Sequence, residues 1–479
     1  MVNPCIPDPI VVIIGAGIAG LSAAQHLARG GIKNFIILEA TDRPGGRIHS
    51  KWLGDVVTEM GAHHIEGGCS ENPIFNLACQ EGLLKPPLPR SKSPNCGLFC
   101  TSEGKIINLD ICISAYKVFQ QIQQEATSLF SLGTNFPNCN LLEFLGLRIK
   151  QELYNFPEEK RYDAEKVLNS LVHLLKNRCG EDLTLVSPSH FGSIMPIPGG
   201  NIPVPFGYVN IIAPLLRELP EDSVQYRKPV KTITWNQSEN IRAIVHCADG
   251  EEIPADYVII TVSLGVLKKN MDTMFAPQLP SEKVEAINKL GFGVVDKIYL
   301  EYDRPSWIWE ESEIKFAWSP DEFQDRMDWT KGVTTVEQVA GSNHVICAWI
   351  SGKEAIEMEM CSNKDVAEGI THLLRQFSND PSFPMPKNLV RSKWGTNPYF
   401  LGAYSFMALE SKMEHRNSLT SPIPGICEPI PPILLFAGEA TCIGHFSTVH
   451  GARLSGIREA ERIIQFTENY TGSTDIWLL

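Results

Sequence analysis

Gly15, Gly17 and Gly20 punctuate the run Val-Val-Ile-Ile-Gly-Ala-Gly-Ile-Ala-Gly at residues 11–20, and Glu39 closes a second apolar run, Phe35–Leu38. Residues of these types at this spacing suit the binding of a pyrophosphate-linked dinucleotide. Gly15 permits a tight strand-to-helix turn, Gly17 lets the backbone approach a pyrophosphate, and Gly20 allows close helix–sheet packing. Ala16 and Ala19 belong to the same backbone cradle. The helix that starts here presents free N–H groups to the phosphates. Glu39, about 20 residues on as the fingerprint requires, can accept hydrogen bonds from both ribose hydroxyls and would repel a 2′-phosphate. A glycine triplet alone also occurs in ordinary turns. Here strand, helix, second strand and acid follow in order.

After Glu39 the chain reads Ala40-Thr-Asp-Arg-Pro-Gly-Gly-Arg47. A Gly-Gly pair between Arg43 and Arg47 suits a loop wrapped round a bound phosphate, with guanidiniums as charge-assisted donors. An ordinary basic turn is the alternative. Together with Glu39, the run E-A-x-D-R-x-G-G-R resembles the second flavin-contact motif of FAD-dependent amine oxidases. That resemblance selects FAD over NAD.

Several elements must position these groups. At 479 residues the chain is long enough for two domains with large cores. A Pro-rich, polar break (KPPLPRSKSPN) follows Leu84, and residues from Ile111 to about Lys176 show three- and four-residue apolar steps of helices. Met195–Asn201 reads as a loop and VNIIAPLLREL as a helix. Strand patterns resume at VQYRKPVKTITW, IRAIVHCADG and YVIITVSLGVL, with a turn at Asp249-Gly250. A last strand, loop and helix unit runs from Ile433 to Phe466. The expected fold is α/β, a discontinuous Rossmann-like FAD-binding domain with an inserted α+β substrate-binding domain. Residues 1–86, 196–295 and 425–479 form the first, and 87–195 and 296–424 the second. A contiguous N-terminal Rossmann domain is the alternative, and it leaves the late strand–turn–helix without a purpose.

Composition is that of an ordinary globular protein, 43% hydrophobic and 20% charged. The net charge of −13 disfavours nucleic acid and anionic membranes and favours a cationic ligand, although acidity also serves solubility. Thirteen scattered cysteines read as reduced and intracellular, with no metal-ligand spacing. No apolar run reaches membrane-spanning length. The N-terminal apolar stretch carries Asp8 and no preceding Lys or Arg, unlike a secretory signal. The tail Asp475–Leu479 is not a peroxisomal tripeptide. A cytoplasmic location is expected.

Further stretches resemble the flavin polyamine oxidase family across nearly the whole chain. Val57–Gly68 (VTEMGAHHIEGG) resembles the segment under the flavin, which brings in Gly61, Ala62 and His63. Lys228–Trp235 resembles the strand whose valine, here Val230, contacts adenine through its backbone. Gly291–Leu300 carries Lys297. Trp394–Tyr404 resembles the late W-x-x-x-P-Y-x-x-G-x-Y stretch, including Trp394 and Tyr399. Leu435–Gly456 resembles the C-terminal flavin motif, with Gly438, Glu439, Thr448 and Val449.

The resemblance implies the following roles. Lys297 hydrogen-bonds through a water to flavin N5, although by alternation alone it reads as a surface lysine of a strand. Glu439 reaches a ribityl or ribose group. The last helix points its positive end at the flavin pyrimidine, with Thr448 near the substrate. Tyr404, Phe400 and Tyr399 form an aromatic wall with affinity for cations, or pack as core. Glu66, with His63 as neighbour, fixes a distal ammonium, or is a solvated loop carboxylate. His64 stands where the family often has tryptophan. Ser193 follows Phe191-Gly192, where animal relatives carry an acid, so a shorter or acetylated far end of the substrate is open. FAD is expected to be noncovalent, because residues 394–404 hold no cysteine. The implied reaction is oxidation by O2 of a secondary amine in spermine or an N1-acetylated polyamine, giving an aldehyde, a shorter polyamine and H2O2. The expected partners are that small molecule and O2, and the expected state is a monomer, with an oligomer open. A monoamine oxidase, an L-amino-acid oxidase, a histone demethylase of the same superfamily or an inactive flavin-fold binding protein are the competing readings.

Overall fold

The computed structural model describes residues 8–84, 96–134, 139–236, 242–324, 328–424 and 431–468. The Pro-rich stretch 85–95 and the tail 475–479 lie outside these described residues.

Val11–Ile14 is buried along its whole length, as an all-apolar strand must be when both faces of its sheet are covered. It is the middle strand of a five-stranded parallel sheet. The order is Leu434–Phe436, Tyr257–Ile260, Val11–Ile14, Phe35–Leu38, Val224–Gln225. In register, Val11 lies opposite Tyr257 on one side and Phe35 on the other. Neighbouring strands therefore come from the start, the middle and the end of the chain. The first helix, Ile18–Arg29, packs on the last, Val449–Glu468. Arg453 ties them together, donating to Ser22 Oγ at 2.9 Å and to Gln25 Oε1 at 3.1 Å.

A four-stranded sheet follows the order Glu252–Ala255, Ala243–Cys247, Val230–Trp235, Phe275–Ala276. Its first two strands form an antiparallel hairpin round Asp249-Gly250, with Gly250 at φ +93°. A six-stranded sheet carries Val295–Glu301 between Asn388–Arg391 and Val345–Ser351. Against this layer lie Leu109–Ser131, Leu141–Leu153 and Glu158–Cys179, the helices expected from the apolar stepping. Ile111, Ala115, Phe119 and Ile122 bury one stripe against Val167, Leu168 and Leu171.

The stretch read as one helix, VNIIAPLLREL, divides. A 3-10 turn, Tyr208–Ile211, precedes a short helix, Ile212–Arg217. Pro214 explains the break, since a residue without an N–H is tolerated only in a helix's first turn. Among the described residues the cysteines are free, no helix is long and apolar enough to cross a membrane, and no cluster could hold a metal ion.

Candidate active site

A cavity of about 1240 Å³ runs along the carboxyl ends of the parallel strands, the position at which open α/β sheets take their ligands. It exceeds the roughly 300–1,000 Å³ of a single small-molecule pocket, so it has room for two molecules.

The glycine turn at one end is built for close approach. Gly15 adopts φ +106°, and a Cβ on Gly20 would stand 2.0 Å from the Gly15 carbonyl oxygen. Gly20 and Ala16 therefore shape the turn from behind and do not line the cavity. Gly17 does line it, and a Cβ there would meet no protein atom within 4 Å. Gly45 N donates to Ala16 O at 2.8 Å, which folds the Gly-Gly loop back onto this turn. Arg43 braces that loop by donating to the carbonyls of Pro44, Gly46 and Ile48. Three of its N–H groups are thus engaged by the loop itself.

Glu39 is buried on the cavity wall. Its Oε2 accepts from Ala16 N at 2.8 Å, and its Oε1 accepts from Thr41 N at 2.8 Å and Thr41 Oγ1 at 2.7 Å. Oε2 keeps a lone pair for a ribose hydroxyl, whereas Thr41 engages both lone pairs of Oε1. Glu439 is more fully engaged than the ribityl role implied. It accepts from Arg47 Nη1 at 3.1 Å, Ser405 Oγ at 2.7 Å and Ser447 N at 2.9 Å. Gly438, Ala40, Ala19 and Val230 line the same cavity.

Lys297 departs from the surface reading. It is 4% exposed, because Val295–Glu301 is covered on both faces. Its Nζ donates to Gly61 O at 2.8 Å and Glu59 O at 3.0 Å, and lies 4.4 Å from the centre of the Trp349 ring. Burial pulls its pKa down to about 8, against the opposing pull of Cys347, Glu337 and Glu59. His63 sits 4.0 Å from His64 and 5.1 Å from Trp349, centre to centre. Burial holds the His63 imidazole well below its usual range and takes His64 to about 4, with Lys297 adding to both effects. Two neutral imidazoles therefore flank the lysine near pH 7.

Glu66 opens onto the cavity, where loss of bulk water raises its pKa and the Arg178 charge opposes that rise. Ala62, Tyr399, Phe400 and Tyr404 line the wall. Trp394 does too, its Nε1 donating to Met60 O at 2.9 Å and its ring edge-on to Phe400 at 5.0 Å. Tyr404 donates its hydroxyl to Asn177 O. Thr448 caps the last helix, donating to His445 O at 2.6 Å and accepting from Gly451 N at 2.9 Å, with Val449 beside it on the wall. Ser193 is the exception among the substrate residues. It is buried off the cavity, with its hydroxyl on His190 O at 2.6 Å.

The profile of the flavin containing amine oxidoreductase family matches residues 18–194 and 191–464. The chain belongs to that family. The peroxisomal N(1)-acetyl-spermine/spermidine oxidases of Bos taurus and Homo sapiens are each 36% identical to this amine oxidase over 95% of its length, covering 94% and 95% of theirs. Polyamine oxidase 1 of rice is 31% identical, over 95% of this chain and 97% of its own. A solved structure of a putrescine oxidase bound to putrescine matches with a TM-score of 0.70 and 20% identity, over 95% of this chain and 99% of that one. That last likeness is one of fold.

FAD is the cofactor of this family, and the residues present fit it. The space above Gly17 is kept clear of protein, the Glu39 carboxylate lies at the end of the second strand, and the cavity extends past the glycine turn to Lys297.

Motif reading missed a group behind Lys297. Asp296 and Glu359 are both buried carboxyls. Asp296 Oδ1 accepts from Ser392 Oγ at 2.6 Å and Trp394 N at 3.2 Å. Glu359 accepts from Gly395 N and Thr396 N, each at 2.7 Å. Burial and the facing Glu359 push the Asp296 carboxyl well above its usual range. The sequence signal was the adjacent charges Asp296 and Lys297 in the strand Val295–Glu301.

Proposed function

We propose that this amine oxidase is a polyamine oxidase that takes spermine or an N1-acetylated polyamine and oxidises a secondary amine. The observation that carries this reading is the shared cavity, in which a glycine cradle, a buried lysine and an acid lie along one continuous wall. The names of the bovine, human and rice relatives support it.

Bound FAD supplies the two-electron redox chemistry. Gly15, Gly17, Ala19, Glu39, Arg47, Val230, Gly438 and Val449 would hold it, noncovalently. The rest of the wall acts on the amine and its protons. Lys297, with a pKa of about 8, exists in both protonation states near neutrality and can take or give a proton at Nζ. His63 and His64, kept neutral, add no repulsion along the path of a polycation. Glu66 attracts an ammonium, and the faces of Tyr399, Phe400 and Tyr404 favour cations while excluding water. The overall change is amine plus O2 plus water to aldehyde, shorter amine and H2O2. Because the reacting nitrogen must be a free base, activity rises on the alkaline side of neutrality.

We assign residues 1–86, 196–295 and 425–479 to the FAD-binding domain and 87–195 and 296–424 to the substrate-binding domain, in a cytoplasmic protein. The test is a side-by-side peroxide assay of spermine, spermidine, N1-acetylspermine and benzylamine. Turnover of the polyamines supports the reading, and turnover of benzylamine alone overturns it.

A further inference from the structure

Arg178 is a cation on the wall of a cavity read as taking polycations. It occupies the last turn of Glu158–Cys179 and lines the same cavity as Glu66 and Tyr404. Its guanidinium carbon lies 4.6 Å from the centre of the Phe191 ring, which fixes the side chain against an aromatic face. Among the described residues it makes no hydrogen bond or ion pair, so its planar fork of donors is unspent. It is also the cation that acts on Glu66, without forming an ion pair with it.

A helix C-terminus favours a positive side chain in its last turn, and that alone would be satisfied by an arginine pointing into solvent. Here the side chain is stacked beside the cavity, next to an acid it does not neutralise. A wall with one free donor fork and one free carboxylate close together matches a ligand that carries an acceptor and an ammonium a few methylenes apart. A fully charged polyamine end meets repulsion at the same place, which is discrimination by a disfavoured contact.

We propose that Arg178 is a specificity-determining residue that binds the carbonyl oxygen of an N-acyl group on the substrate, while Glu66 holds the neighbouring ammonium. This rests on the polyamine reading above and sharpens it. The preferred substrate is the N-acylated polyamine over the free one.

The test compares kcat/KM for N1-acetylspermine and spermine in the wild-type holoenzyme, Arg178→Met and Arg178→Lys, with flavin absorbance per protein confirming intact folding. Wild type favours the acetylated substrate. Arg178→Met lowers kcat/KM for N1-acetylspermine roughly 10- to 150-fold, the range of a hydrogen bond to a charged group, and raises it for spermine. Arg178→Lys, which keeps the charge but not the fork, recovers part of the preference. A wild-type preference for spermine, or a ratio unmoved by Arg178→Met, overturns this assignment alone. Turnover of neither substrate overturns the polyamine reading and the assignment with it.

Discussion

The Asp296 carboxyl faces the Glu359 carboxylate directly behind Trp394, and both acids hold backbone N–H groups of the 394–396 stretch. Two buried acids can share that space only if one keeps its proton. Through Ser392 the same pair reaches the strand of Lys297, since Ser392 Oγ accepts from Lys297 N at 2.9 Å.

Asp296→Asn should therefore be tolerated. An amide preserves the acceptor for Ser392 and, like a protonated carboxyl, offers a donor toward Glu359. Asp296 has a raised pKa in the folded chain, so the folded state binds more protons than the unfolded one above the ordinary carboxylate range. Wild-type stability then falls as pH rises toward the raised value. Asp296→Asn should lack that fall, and its advantage in Tm should grow with pH. Glu359→Ala leaves buried donors unpaired and should cost about 1–3 kcal/mol for each. Thermal unfolding across pH measures both, and a wild-type curve parallel to that of Asp296→Asn would rule out the shared proton.

Two glycine substitutions should fail in different ways. Gly17→Val places its side chain in the space left clear above the turn, so the protein should fold and lack flavin. Gly20→Val drives a side chain into the Gly15 carbonyl, 2.0 Å from the Cβ position, so the protein itself should be destabilised. Soluble yield and the ratio of visible to ultraviolet absorbance separate the outcomes. A yellow Gly17→Val protein would contradict the assigned pyrophosphate position.

Lys297→Met should slow flavin reduction or reoxidation while leaving FAD bound, as read by stopped-flow absorbance. The pH dependence gives a second check. The folded-state pKa of Lys297 is lowered to about 8 from 10.5, so the unfolded chain binds more protons between those values. Its contribution makes stability rise with pH across that window. Lys297→Met should lose that rise, along with any kinetic limb near pH 8.

Glu66→Gln should raise the apparent KM for the preferred polyamine roughly 10- to 150-fold, with kcat less affected, because a charge-assisted contact is worth about 1.5–3 kcal/mol. Because desolvation inside the cavity raises the carboxyl pKa of Glu66, wild-type affinity should weaken as pH falls through that raised range. Steady-state kinetics at several pH values test this, and an unchanged KM would return Glu66 to the role of a wall residue.

The βαβ unit at the N-terminus was legible because its glycines and strands are local and each residue type has a mechanical reason to be there. The insertion of helices after Leu84 followed from a change in period, and the late strand–turn–helix from having no other use. Lys297 was not legible by alternation, since period two marks exposure only where one sheet face meets water, and this strand is covered on both. Ser193 followed the family's spacing into the right loop, but its hydroxyl closes a turn on His190 and it does not line the cavity, although Ile194 beside it does. Arg178 and Glu359 left no local pattern, and Asp296 left only its charge beside Lys297 in a buried strand. Their meaning depends on partners brought together by the tertiary fold.

The order of strands in the parallel sheet has a consequence for biosynthesis. Val11–Ile14 leaves the ribosome first, yet its neighbour Tyr257–Ile260 and the outer strand Leu434–Phe436 follow only hundreds of residues later. At about 5–20 residues per second of synthesis, the first strand waits tens of seconds with one edge unpaired and its apolar face uncovered. The wall of the cofactor crevice is complete only when Val449–Glu468, which contributes Val449, His450 and Ala452, has docked on Ile18–Arg29. Completion of the flavin site is therefore among the last events in the making of this enzyme, and a chain cut short before that helix lacks that part of the wall.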